Sequence, residues 1–166
     1  MKRVIYLFLV SLLCIACFTS CKGEGIQAKS MTATMESDAV VKTSDQTIKC
    51  HVKSEEGQPL EILITEPEEL NGMSFEFSDA DGCTVKYKDL EVEMGNCDFP
   101  DASFARVIKD VINCIKAGGI SEVGKCEDEG TEYLGKVFEK SYRIISDSSK
   151  GKIKKIISEN VEINFN

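Results

Sequence analysis

The chain has 166 residues, with 20 Lys plus Arg against 28 Asp plus Glu and a formal net charge of −8. So acidic a surface repels phosphate backbones, which excludes nucleic acid as a partner, and it offers anionic lipid headgroups no general attraction. The length suits one domain with a real core and leaves little room for two.

The first element in chain order stands apart from that domain. Lys2 and Arg3 precede an apolar run over residues 4–18, and the small residues Thr19 and Ser20 lead into Cys21. A run of about fifteen residues is short of the roughly 20 that a spanning helix needs. A basic head and a small-residue exit are the marks of a processed secretion signal. A lipid-modifying pathway needs a thiol at the first mature position, and Cys21 supplies one. Residues 1–20 therefore read as a bacterial lipoprotein signal, with Cys21 as the lipidated residue carrying a diacylglyceryl anchor. Cys17, behind Cys14-Ile15-Ala16, is an alternative acceptor, but apolar Phe18 would follow that cut. An ordinary cleaved secretion signal and an uncleaved membrane anchor are the plainer alternatives. The expected location is the extracytoplasmic face of the cell membrane. Loss of Lys2 and Arg3 takes the charge from −8 to −10, so attachment is expected to come from the lipid and not from a basic patch.

Residues 21–30 are the lipidated Cys and a polar, glycine-bearing tether, and 31–166 are expected to form one domain. From Met31 to Met94 the apolar period is two. Met31, Ala33 and Met35 alternate with Thr32 and Thr34, and Ile48, Cys50 and Val52 alternate with Lys49, His51 and Lys53. Four further runs follow: Leu60, Ile62 and Ile64; Met73, Phe75 and Phe77; Cys83, Val85 and Tyr87; Leu90, Val92 and Met94. One apolar and one polar face per run predicts half-buried antiparallel strands. Glu55–Gln58 and Asp79–Gly82 supply turns between runs, and Asp-Gly suits a tight hairpin. The second cluster places its glycine at the wrong position for a calcium loop, so a plain turn is expected.

After Phe99-Pro100 the period changes. Phe104, Val107, Ile108, Val111, Ile112 and Ile115 form the stripe of an amphipathic helix over 101–117. Asp98 or Asp101 can cap its start, and Gly118-Gly119 supplies a left-handed stop. Residues 119–130 read as a Gly-rich acidic loop. Strands are expected again at 131–138 and 141–146, then, after a turn at 148–151, a final run over 152–165. The order predicts an α+β fold, mainly an antiparallel sheet around one main helix.

Little in the chain suggests catalysis, and the chain is not expected to be an enzyme. The one histidine, His51, shares the polar phase of its strand with Lys49 and Lys53, which predicts a solvent-facing side chain. No serine lies in a Gly-x-Ser-x-Gly elbow, and no phosphate-cradling glycine loop occurs. After processing, Cys50, Cys83, Cys97, Cys114 and Cys126 remain besides Cys21, and the closest two of these five are twelve residues apart. That spacing gives no metal or CxxC signature, so buried free thiols are expected; a disulfide from Cys97 or Cys114 to Cys126 stays open. No metal and no cofactor is expected.

Binding is the better expectation. Met31, Met35, Ile62, Ile64, Met73, Phe75 and Phe77 all fall on the apolar strand phase, and methionine suits cavities that accept irregular apolar shapes. Filling of the core against the helix is the plain alternative for the same residues. The segment Pro67-Glu68-Glu69-Leu70-Asn71-Gly72-Met73-Ser74-Phe75-Glu76-Phe77, continuing through Thr84–Leu90, resembles the LolA-like and LppX-like half-barrel bacterial lipoproteins. In these a proline and a leucine-glycine turn precede two paired strands. The runs at 48–53, 142–145 and 153–165 fit the same order. The resemblance implies a strongly curved, open β-sheet, an unclosed half-barrel with an apolar concavity. Members of that family carry lipids, sense envelope stress or bind protein partners. It also departs from the shuttling carriers, because the chain offers one long helix and a permanent anchor, and neither Arg106 nor Arg143 matches a lipid-gating arginine. The expected function is a membrane-anchored lipoprotein that binds a lipid or acyl chain in its concavity. The alternative is a protein-interaction module that positions or regulates a cell-envelope enzyme.

Overall fold

The computed structural model describes residues 31–78, 82–95, 103–126, 130–137, 139–147 and 149–166. The proposed signal, Cys21 and the tether lie outside the described residues, as do Asp79–Asp81, Cys97, Asp98 and Asp101.

Eleven strands form a single sheet, every described ladder of which is antiparallel. In chain order they are β1 (Met35–Lys42), β2 (Thr47–Ser54), β3 (Leu60–Glu66), β4 (Ser74–Phe77), β5 (Cys83–Tyr87) and β6 (Leu90–Met94). After the helix α1 (Phe104–Lys116) come β7 (Ile120–Cys126), β8 (Gly130–Val137), β9 (Lys140–Asp147), β10 (Ile153–Ile157) and β11 (Glu162–Phe165). The spatial order is β6-β5-β4-β3-β2-β1-β11-β10-β9-β8-β7. Two meanders are thus joined where the first strand pairs with the last, with Val41 opposite Ile163. Among the described residues β6 and β7 are the two edges and do not pair with each other, so the sheet is unclosed.

The sheet curls around this helix. Ten of the thirteen residues of α1 are buried, including Lys109 and Asp110, which a helix resting on a flat sheet could not achieve. Directly paired residues share a sheet face. The register therefore lines up one row of side chains across six strands: Tyr133, Ile144, Ile156, Ile163, Val41 and Ile48. Every one is at most 3% exposed. Against this row pack Ala105, Ile108, Val111 and Ile112 of the helix, each at most 1% exposed and all in the same core. At about 1.5–3 kcal/mol for each large side chain removed from water, this contact is the main reason the sheet bends around the helix.

Polar contacts fix the helix within the trough. Tyr142 on β9 donates its hydroxyl proton to Asp110 Oδ2 at 2.9 Å, and Arg106 Nε donates to Asp110 Oδ1 at 3.1 Å. At the other end, Cys114 Sγ lies 3.1 Å from the carbonyl oxygen of Gly119, and Gly118 takes the left-handed conformation (φ 67°) that stops the helix.

The structure corrects several expectations. β1 begins where the Met31–Met35 alternation ends and buries Ala39 and Val41. The helix starts at Phe104, after Ser103, which makes no side-chain cap bond. The expected loop over 119–130 contains the edge strand β7. Its Ser121, Glu122 and Val123 are exposed, so no alternation marks it, and a register shift between Glu122 and Gly124 breaks the pattern further. The run over 152–165 is two strands, because Ser158 N–H donates to Val161 O at 2.9 Å and closes a tight turn between them. For Cys114 the expectation of a free buried thiol stands and the open alternative of a disulfide to Cys126 does not, since Cys114 lies beside Gly119 at the opposite end of β7 from Cys126. Six strand residues at about 3.3 Å each separate those positions, far beyond disulfide reach.

Candidate apolar site on the concave face

The site begins with the residues that pair across β3 to β6. Ile62 pairs with Phe75, Phe75 with Val85, and Val85 with Val92. A parallel row runs Leu60, Phe77, Cys83, Met94, and a third ends with Tyr87 opposite Leu90. All lie on the face that meets the helix, and among these paired positions no charged residue occurs.

Cover is lost along these rows. Ile62 has no exposed surface and Phe75 retains 8%, yet Val92 is 53% and Leu90 68% exposed. The cause is the position of α1. Its first residue, Phe104, meets Phe75 edge-to-face with ring centroids 5.9 Å apart, and the helix then continues alongside Phe77 and Leu60, with Lys109 facing Phe77 and Cys83, so its cover ends short of the Leu90 end of β6. Leu90 and Val92 therefore project beyond this cover while Cys83, Val85 and Met94 stay packed against the core, and together they form an apolar lip continuous with it. The outer side of the β5–β6 hairpin is polar, with Lys86 bound to Glu76 at 2.6 Å and with Thr84, Glu91 and Glu93.

Two cations stand near the lip. Lys88, in the tight turn between β5 and β6 with φ 55°, places Nζ 4.8 Å from the centre of the Tyr87 ring. The Tyr87 hydroxyl donates to the carbonyl oxygen of Glu69, which fixes the ring. Deeper in, Lys109 Nζ lies 5.5 Å from the centre of the Phe77 ring. Burial pushes the Cys83 thiol pKa up and the charge of Lys109 opposes it. Cys83 itself is only 3% exposed, which does not suit a nucleophile.

The expected ligand residues divide into three groups. Ile62, Ile64, Phe75 and Phe77 sit together on the concave face and are packed against the helix; of the four, Phe77 lines a cavity, of about 400 Å³, with Leu60, Lys109, Asn113 and Lys116. Met73 is half-buried beside Ile64, whose N–H bonds to its carbonyl. Met31 is buried, and Met35 lies apart, in a groove of about 290 Å³ with Ile153 and Phe165. Val85, Tyr87, Leu90 and Val92 are not among the seven expected ligand positions, although their alternation is visible in the sequence. Nothing in the alternation says where the helix stops covering it.

His51 points outward, as expected from its phase. Its Nδ1 lies 2.9 Å from Asp38 Oδ1 and its Nε2 3.4 Å from Glu36 Oε1, and these bonds raise its pKa above the ordinary value. The cluster is on the convex face, and Glu36 also lines the groove that holds Met35. Among the described residues, no group of three metal-ligating side chains converges, and no helix is long and apolar enough to cross a membrane.

No family model matches the sequence, and no curated protein matches it. Among solved structures, the crystal structure of a LolA superfamily protein from Nitrosomonas europaea is similar over 79% of this chain and 82% of its own. The identity is 11% and the TM-score 0.39, so the architecture rests on the chain's own strand ladders.

Proposed function

We propose that this protein is a membrane-anchored bacterial surface lipoprotein that binds an acyl chain or lipid on the open end of its half-barrel. The observation that carries the reading is the concave surface of β5 and β6. It remains wholly apolar where the helix no longer covers it and Val92 and Leu90 are exposed. A partner with polar groups of its own would need hydrogen-bonding side chains there, because unpaired polar groups are costly to bury. An acyl chain needs none. Lys88 stands at the rim, where the anionic head of such an amphiphile would lie. The anchor at Cys21 rests on the signal pattern of residues 1–21.

The test is displacement of a fluorescent fatty-acid analogue by palmitate. Val92→Asp should weaken binding by at least about tenfold, or roughly 1.4 kcal/mol. Leu134→Asp, at a 43%-exposed position on the outer face, should leave it unchanged. Equal binding by both variants refutes the placement of the site.

A second reading, an interaction module for an envelope enzyme, draws on one observation. β6 is a free edge that can accept an added strand. It prevails if palmitate does not bind while a photo-crosslinker at Val92 captures an envelope protein.

A further inference from the structure

We propose that the turn between β9 and β10 is a second membrane contact, with Lys150, Lys152 and Lys154 set against the phosphates of anionic lipid headgroups. The proposal rests on the reading of Cys21 as lipid-bearing.

The overall charge hides this arrangement. Residues 148–155 contain four lysines and no acid in a chain of net charge −8. Lys150, Lys152 and Lys154 are exposed, while Lys155 is bound to Glu162 at 3.0 Å. What gives the cluster meaning is its neighbour. Thr32 N–H bonds to the carbonyl oxygen of Gly151 at 3.3 Å, so the chain enters the domain against the middle of the lysine turn. Thr32 is eleven residues from Cys21, so at about 3.6 Å per residue the turn lies within about 40 Å of the anchored lipid. No other face of the domain is held so directly to the anchor. Basic side chains beside an anchor are attracted to anionic headgroups, and that attraction grows with proximity and weakens with salt.

The turn is built to present its lysines. Asp147 Oδ1 accepts from Ser149 N–H at 2.7 Å, from the Ser149 hydroxyl at 2.6 Å and from Lys150 N–H at 3.3 Å. Gly151 is left-handed (φ 67°), and its N–H bonds back to Asp147 O at 2.9 Å. The acid nearest the lysines is thus engaged inside the turn. Thr32, Thr34 and the three lysines line one groove of about 290 Å³, with Glu36 as its other acid. Glu55 and Glu56, in the turn after β2, lie on the opposite flank of β1, so contact is one-sided and tilts the domain toward β9 and β10.

The test uses the full chain, exported and anchored in a bacterial host, then reconstituted into vesicles. Amine acetylation is read lysine by lysine by mass spectrometry. In phosphatidylglycerol–phosphatidylcholine vesicles, Lys150, Lys152 and Lys154 should label several-fold more slowly than in phosphatidylcholine alone. High salt should restore the rate, and Lys49 and Lys53 should not change. The double variant Lys152→Glu/Lys154→Glu, both at exposed positions, should lose the protection of Lys150. Equal labelling in both vesicle types, with the diacylglyceryl mass present on Cys21, overturns the proposal alone. Equal protection by soluble inorganic phosphate assigns the turn to free anions and also overturns it. Absence of that mass from Cys21 refutes the anchor, and the proposal falls with it.

Discussion

Replacing Tyr142 by Phe removes one oxygen and tests how the helix is held in the trough. The hydroxyl is a donor to Asp110 Oδ2 at 2.9 Å, and Tyr142 and Asp110 are 1% and 7% exposed, so water cannot take its place. A hydrogen bond to a charged group is worth about 1.5–3 kcal/mol, and Asp110 would keep the bond from Arg106 Nε. We therefore expect a loss of about 2 kcal/mol. With a urea slope of about 2 kcal/mol/M, typical for a small domain, the unfolding midpoint should fall by about 1 M with the slope unchanged. Tyr133→Phe is the control. That ring is also buried, at 3%, but no hydrogen bond joins its hydroxyl to the helix, so its loss should cost under about 0.5 kcal/mol. Urea unfolding followed by far-UV circular dichroism gives both numbers. If the two variants lose the same stability, the Asp110 bond does not hold the helix.

His51 is held above its ordinary pKa of 6.5, chiefly by its bond to Asp38, so its protonated form favours the folded state. That contribution is complete below pH 6.5, lost as pH rises through the higher folded value, and small because the side chain is 37% exposed; NMR titration and the pH dependence of His51→Gln stability check it. Burial, aided by the charge of Asp38, pushes the Cys50 thiol pKa up to about 12, so in native protein at pH 8 it should resist a disulfide reagent and react once urea is added. Gly130→Ala would set a methyl 2.7 Å from Ile145 Cγ2 and 3.0 Å from Ser146 O, an overpacking expected to cost about 1–3 kcal/mol by thermal unfolding.

Strands whose inward positions are all large and apolar were legible from alternation. In β2 these are Ile48, Cys50 and Val52, and in β3 Leu60, Ile62 and Ile64; each set is buried as its phase implies. β1 was harder to read because Ser37 and Ala39 share its inward phase with Val41, and two small residues do not announce a core strand. β7 was illegible for the opposite reason, since an edge strand with exposed Ser121, Glu122 and Val123 has no buried phase to display. The stripe of α1 was plain, but Asp110 breaks the expectation that its buried side is apolar, and only Tyr142 and Arg106 explain its presence there.

The same limit governs the site. Leu90, Val92 and Met94 alternate as regularly as Leu60, Ile62 and Ile64, and sequence alone gives both sets the same burial. The difference arises from where a thirteen-residue helix begins and which strands it crosses. The grouping of the lysine turn with Thr32 is likewise a product of topology, since β1 and β10 are both neighbours of β11 while lying at opposite ends of the chain.

The most direct measurement is native mass spectrometry of residues 22–166, which contain every strand and the helix, purified from a bacterial host without detergent. The account predicts a bound lipid mass that organic extraction removes and that Val92→Asp greatly reduces. A well-folded domain with a clean apo mass, taking up no palmitate when it is added, would contradict the account.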